Sequence, residues 1–140
     1  MNVLPAINIT SDALAAEKIR LEVISQNIAN ANTTRGPDGR PYARKVVTFE
    51  AQLRQVAGEN GTTIEPSLHV AGITTDPTPG QLVFNPGHPD ADANGMVRMP
   101  NVNVSREMVD LISASRAFEA NLSVVRTARQ MATRALQIGR

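Results

Sequence analysis

The sequence predicts a mainly α fold with a small β-rich insert, in which the N- and C-terminal helices pair as an antiparallel coiled coil around a middle segment of short strands and loops. Three observations lead there. Apolar residues near the N-terminus recur every seven positions, residues 103–138 contain neither Gly nor Pro, and most of the nine Pro and nine Gly lie between these two stretches. The expected divisions are an N-terminal helix within 1–34, a β-rich and loop-rich middle segment at 35–102, and a C-terminal helix within 103–140.

The first helix has Ser11 as its expected N-cap, with Asp12 placing negative charge in the first turn. Leu14, Leu21 and Ile28 then repeat at heptad spacing, with Ile24 in the companion position. A second apolar set, Ile19 and Val23 with Ala16, falls on the other side of the helix at about 100° per residue. One partner cannot cover both faces. The pattern fades in "NIANANTTRGPDG", where Asn27, Asn30 and Asn32 compete for backbone hydrogen bonds before Gly36-Pro37.

In the middle, Pro37-Asp38-Gly39-Arg40-Pro41 reads as a turn, and Val47, Phe49, Ala51 and Leu53 alternate with more polar residues as a half-buried strand does. "SLHVAGIT" is a second strand with a bulge expected at Gly72. "QLVF" and "MVRM" are short strands, with a type II turn expected at Asn85-Pro86-Gly87.

The 36 residues from Asn103 to Ile138 span about 54 Å as a helix. Leu111, Phe118 and Val125 share one heptad position and Leu122 its companion; a second seam runs through Ala117, Val124, Met131 and Ile138, with Ala128 beside it. The expected division pairs Leu14, Leu21, Ile24 and Ile28 with Leu111, Phe118, Leu122 and Val125 inside one chain. It leaves Ile19, Val23, Ala117, Val124, Ala128, Met131 and Ile138 to pack against neighbouring subunits.

Composition narrows the function classes. Aromatic residues make up 3% of the chain, so a core must be aliphatic, and part of the apolar surface is expected to be covered by other molecules. Cysteine is absent, which excludes disulfides and thiolate metal sites. A net charge of +1 gives no reason to expect nucleic acid, and the segment "RGPDGRPYARK" has too few aromatics for an RNA platform. No apolar run reaches membrane-spanning length, and Asp12, Glu17, Lys18, Arg20 and Glu22 interrupt any signal-peptide pattern, so direct membrane insertion and a cleaved signal are not expected. Charge is unevenly spread: Glu59 to Asp92 holds five acids and no Lys or Arg, whereas four Arg and no acid follow Glu119.

Candidate chemistry is sparse. Without Cys, with two His and no nucleophile elbow or phosphate loop, no catalytic residue, cofactor or enzyme activity is expected. Asp90-Ala-Asp92-Ala-Asn94-Gly95 copies the opening of a calcium loop, but position 12 is Asn101 rather than Glu and Pro100 lies inside it. Asp90, Asp92, Asn94 and Gly95 are better read as a connector whose side chains hold turns, with Gly95 at positive φ. A calcium module and a soluble helical adaptor are the alternatives to a repeating structural subunit, the reading that surplus apolar surface favours.

The stretches "SQNIANANTTRGPDGRPYARK", "PGHPDADANGMVRMPNVNVSREMVDLISASRAFEANLSV" and "ALQIGR" closely resemble the flagellar basal-body rod protein family over essentially the whole chain. Met96 and Phe118 depart from it, standing where the family more often has Tyr. The resemblance implies a proximal-rod subunit of the bacterial flagellum that stacks helically with other axial proteins into a hollow, torque-transmitting shaft in the periplasm. It also implies paired terminal helices lining the export channel, type III export without a cleaved signal, and partners among its own copies, other rod proteins, the export apparatus and a rod-associated muramidase.

Overall fold

The computed structural model describes the backbone of residues 4–58 and 61–138, and the side chains of 8–55, 62 and 64–137. Element order is α1 (Leu4–Ala29), β1 (Lys45–Gly58), β2 (Gly61–Thr75), β3 (Leu82–Phe84), β4 (Met96–Arg98) and α2 (Val104–Ile138). Two helices thus flank a middle of antiparallel strands.

Helix α1 starts well before Ser11, which sits inside the helix rather than at its N-cap. A proline early in a helix lacks only an N–H that has no intrahelical acceptor, so Pro5 permits the earlier start. Asp12 is likewise not in the first turn: its Oδ2 accepts a bond from Ser67 Oγ at 2.8 Å and ties α1 to β2. Helix α2 begins at Val104, one residue after the expected start, and Asn103 caps it from outside. The Asn103 side chain accepts from Arg106 N–H at 3.1 Å, and its carbonyl accepts from Glu107 N–H at 3.0 Å.

Strands β1 and β2 form one ribbon of 14 and 15 residues. Its register shifts at Thr48/Phe49, where Ala71 has no opposite residue, next to the Gly72 at which the bulge was expected. The register puts Val47, Phe49, Ala51 and Leu53 on one face with Ile73, Val70, Leu68 and Pro66, while Gln52, Arg54, Ser67 and Glu65 share the other. At Ser67 the polar face meets α1, and Glu65 is 9% exposed. Leu53 and Ile64, towards the ribbon tip, are more than half exposed.

Strands β3 and β4 make a separate pair. The turn after β3 closes through His88 N–H to Asn85 C=O at 3.1 Å, and only Gly39 and Gly95 have positive φ among the described glycines. It is therefore not the type II turn expected at Asn85-Pro86-Gly87, which needs a positive φ at Gly87; glycine permits that conformation without requiring it. No described helix is long and apolar enough to cross a membrane.

Among the described residues the buried apolar ones are few: Ala16, Val23, Ile24 and Ala31 from α1 and its end, Val97 from β4, and Ala114 from α2. Helices α1 and α2 pack on each other, and α1 also packs on the ribbon.

Candidate functional site

Among the described residues, two of the three largest fully buried side chains are polar. Asn27, 1% exposed, and Glu107, fully buried, meet where the last turns of α1 face the first turns of α2. The loop after α1 turns back at Gly39, whose φ is 73°, and Tyr42 N–H bonds Thr33 C=O at 3.0 Å, so that Tyr42, Arg44 and Lys45 lie alongside Asn27.

Asn27 uses both ends of its amide. Its Nδ2 donates to Lys45 C=O at 2.9 Å and to Glu107 Oε2 at 3.0 Å, while its Oδ1 accepts from Lys45 N–H and Tyr42 O–H, each at 2.9 Å. The second Glu107 oxygen accepts from Arg44 Nε at 2.6 Å, and Arg44 also faces Asp110 at 3.6 Å. The carboxylate is thus paired and hydrogen-bonded, as a buried charge must be. Burial, and next the Glu107 charge, push the Tyr42 hydroxyl above its ordinary value of 10.0, which keeps it a donor.

A second ring of bonds ties in the connector before α2. Asn101 Oδ1 accepts from Arg44 N–H at 2.7 Å, and its Nδ2 reaches the carbonyls of Asp76 at 3.1 Å and Thr78 at 2.8 Å. Asp76 N–H bonds Arg44 C=O at 2.8 Å. One joint therefore links α1, the returning loop, the root of the ribbon, the connector and α2. It holds no nucleophile beside a base; what it can do is fix angles between elements.

The connector residues singled out in the sequence serve that joint. Asp90 Oδ2 accepts from Thr34 Oγ1 at 2.8 Å, and Arg35 approaches its other oxygen at 3.6 Å, pinning the connector to the loop after α1. Asp92 Oδ1 accepts from the N–H groups of Asn94 and Met96, at 2.8 and 2.9 Å, and Gly95 has φ 74°. Asn94 itself is exposed. The two carboxylates serve different partners, and no group of three or more metal-ligating acids, His or Cys occurs among the described residues. His69 faces Glu50 at 3.7 Å, and His88 Nδ1 accepts from Asp90 N–H.

Of the residues expected to pair within the chain, Ile24 is buried, and Leu14, Leu21, Ile28, Leu111, Phe118, Leu122 and Val125 are half-buried. Of those expected to face neighbours, Val124 and Met131 are 53% and 57% exposed; Ile19, Ala117 and Ala128 are half-buried. Val23 is 4% exposed and so already covered within the single chain, and the side chain of Ile138 lies outside the described residues. The joint itself was missed by sequence reasoning, which read Asn27 only as a helix-weakening residue.

Comparison with known proteins covers both halves of the joint. Residues 7–37, with Asn27, match the family described as "Flagella basal body rod protein", and residues 93–138, with Asn101 and Glu107, match "Flagellar basal body rod FlgEFG protein C-terminal". The flagellar basal-body rod protein FlgC of Yersinia enterocolitica is 45% identical over 99% of both chains. FlgC of Salmonella typhimurium strain LT2 is 41% identical over the same share, and FlgC of Bacillus subtilis strain 168 is 34% identical over the full length of both. With the family's two terminal regions joined by one buried network and near-full-length similarity to its members, the chain belongs to the FlgC family of flagellar basal-body rod proteins, structural subunits of the rod.

Proposed function

We propose that this chain is an axial subunit of the proximal rod, stacking helically with its own copies and other rod proteins into a hollow shaft in the periplasm that carries torque and encloses the export channel. In this reading the terminal helices, within 1–34 and 103–140, pair as an antiparallel coiled coil and form the inner layer. The middle segment, 35–102, packs outside. Subunits travel through the type III export apparatus without a cleaved signal, and the rod-associated muramidase is a further neighbour. The meeting of Asn27 with Glu107 supports antiparallel pairing, because it sets the end of α1 beside the start of α2 while the helices pack along each other.

The observation that carries the assembly reading is apolar surface left open on a single chain. Along the second half of α2, Val124, Met131 and Leu136 are all more than half exposed, as are Leu53 and Ile64 on the ribbon. A torque-bearing shaft requires such surface to be buried between subunits. The test is complementation of a rod-deficient strain with the double variant Val124→Asp/Met131→Asp. Normal soluble folding with loss of rods in electron micrographs is expected; intact rods and swimming cells would refute the reading.

A further inference from the structure

We propose that Glu107, through Asn27 and Arg44, is the residue that fixes the register of α2 on α1; this rests on the antiparallel pairing proposed above. The apolar seams do not define a register by themselves. Leu14, Leu21 and Ile28 on α1, and Leu111, Phe118 and Val125 on α2, repeat every seven residues, so a slide of one heptad exchanges one apolar contact for another. A slide moves the helix by about 10 Å at 1.5 Å per residue.

Glu107 breaks this equivalence. It is a fully buried acid, and both its oxygens are occupied, by Asn27 at 3.0 Å and Arg44 at 2.6 Å. The positions one and two heptads onward are Ala114 and Asn121, neither of which carries a charge. The receiving groups are held in the frame of α1, because Asn27 bonds both the N–H and the C=O of Lys45, the residue after Arg44. Slid one way, α2 presents the Ala114 methyl to Asn27 and carries the carboxylate away from its partners. Slid the other way, Glu107 comes level with Arg20 and leaves Arg44 behind. Either shift strips a buried carboxylate of fixed hydrogen bonds, the circumstance in which one polar residue specifies the register of an apolar seam. Register in turn decides which α2 residues stay free for neighbours.

The chain lacks cysteine, so Ser25→Cys and Arg126→Cys, both at exposed positions, accept spin labels at two places only. Pulsed electron resonance on the purified chain should give one narrow distance. Glu107→Leu keeps a side chain of similar size and leaves Asn27 bonded to Lys45; with helix content retained, it should add a second population displaced by up to about 10 Å, one heptad of rise. Glu107→Gln still offers an oxygen to Asn27 and should keep the single distance. A single unchanged distance in Glu107→Leu overturns the proposal, as does loss of helix content, which would make the residue a source of stability rather than of register. Two populations in Glu107→Gln would overturn the hydrogen bonds as the cause. A broad distribution in the unsubstituted pair would instead overturn the helix pairing beneath the proposal.

Discussion

Replacing Asn27 by Ala is the sharpest probe of the joint, because the side chain makes four hydrogen bonds while contributing little apolar area. The four do not weigh equally. Tyr42 and Lys45 are half-buried, so water can take over the three bonds made to them, at about 0.5–1 kcal/mol each. The bond to Glu107 is different: its oxygen belongs to a fully buried carboxylate, and an unsatisfied charged group of this kind costs about 2–3 kcal/mol. Alanine recovers about 0.5 kcal/mol in helix propensity. The net expectation is a loss of about 3–5.5 kcal/mol, measurable by urea unfolding of the purified chain followed by circular dichroism. Asn30→Ala serves as the comparison, since Asn30 bonds only locally, to Gln26 C=O and Thr33 Oγ1, and should cost less than about 1 kcal/mol. If Asn27→Ala costs no more than Asn30→Ala, the joint does not organise the fold.

Two further outcomes follow from single positions. Gly39 and Gly95 share a positive φ, but a Cβ at Gly39 meets nothing within 4 Å, whereas one at Gly95 lies 3.0 Å from the Phe84 ring and 3.1 Å from Pro86 Cβ. In urea unfolding Gly39→Ala should cost only the backbone strain, about 1–2 kcal/mol. Gly95→Val adds a β-branched side chain against β3 and should cost about 3 kcal/mol or more, misdirecting the entry to α2 and impairing rod assembly; equal costs would show that the connector yields freely. For Tyr42, the folded-state value lies above the ordinary 10.0, so its contribution to stability is complete below that pH and is lost as pH rises through the folded value. Tyr42→Phe should therefore flatten the alkaline limb of a stability profile above about pH 10, read against phenolate absorbance of the chain's one Tyr. Superimposable alkaline limbs would remove Tyr42 from the joint's electrostatics.

Much of the element layout was legible because it rests on local patterning. The heptads gave α1 and α2, the alternation Val47, Phe49, Ala51, Leu53 gave β1, and Asp-Ala-Asn-Gly gave the positive φ of Gly95. The start of α1 was not, because Ser11-Asp12 is a good capping pair in isolation. Tertiary contact with Ser67 on β2 uses Asp12 in another way. The turn at Asn85 failed for a related reason: Pro-Gly allows a type II turn, and the path from β3 to the connector selects a different one.

The joint was opaque to local reasoning because its partners are distant in sequence: Asn27 and Glu107 are separated by 80 positions, Arg44 and Glu107 by 63. Each residue had a bland local meaning: an asparagine at a fading helix end, a cation in a loop, an acid in a first turn. Only the fold brings these meanings into one place, and there the logic inverts. Asn27 does not weaken α1; it exports its hydrogen bonds sideways to Lys45, Tyr42 and Glu107 while the backbone stays helical. A chain with few aromatics and a small apolar core has little nonspecific packing with which to set angles between its parts. Directional bonds at a buried charge set those angles instead, while the apolar residues of the ribbon tip and of the second half of α2 stay exposed on the single chain.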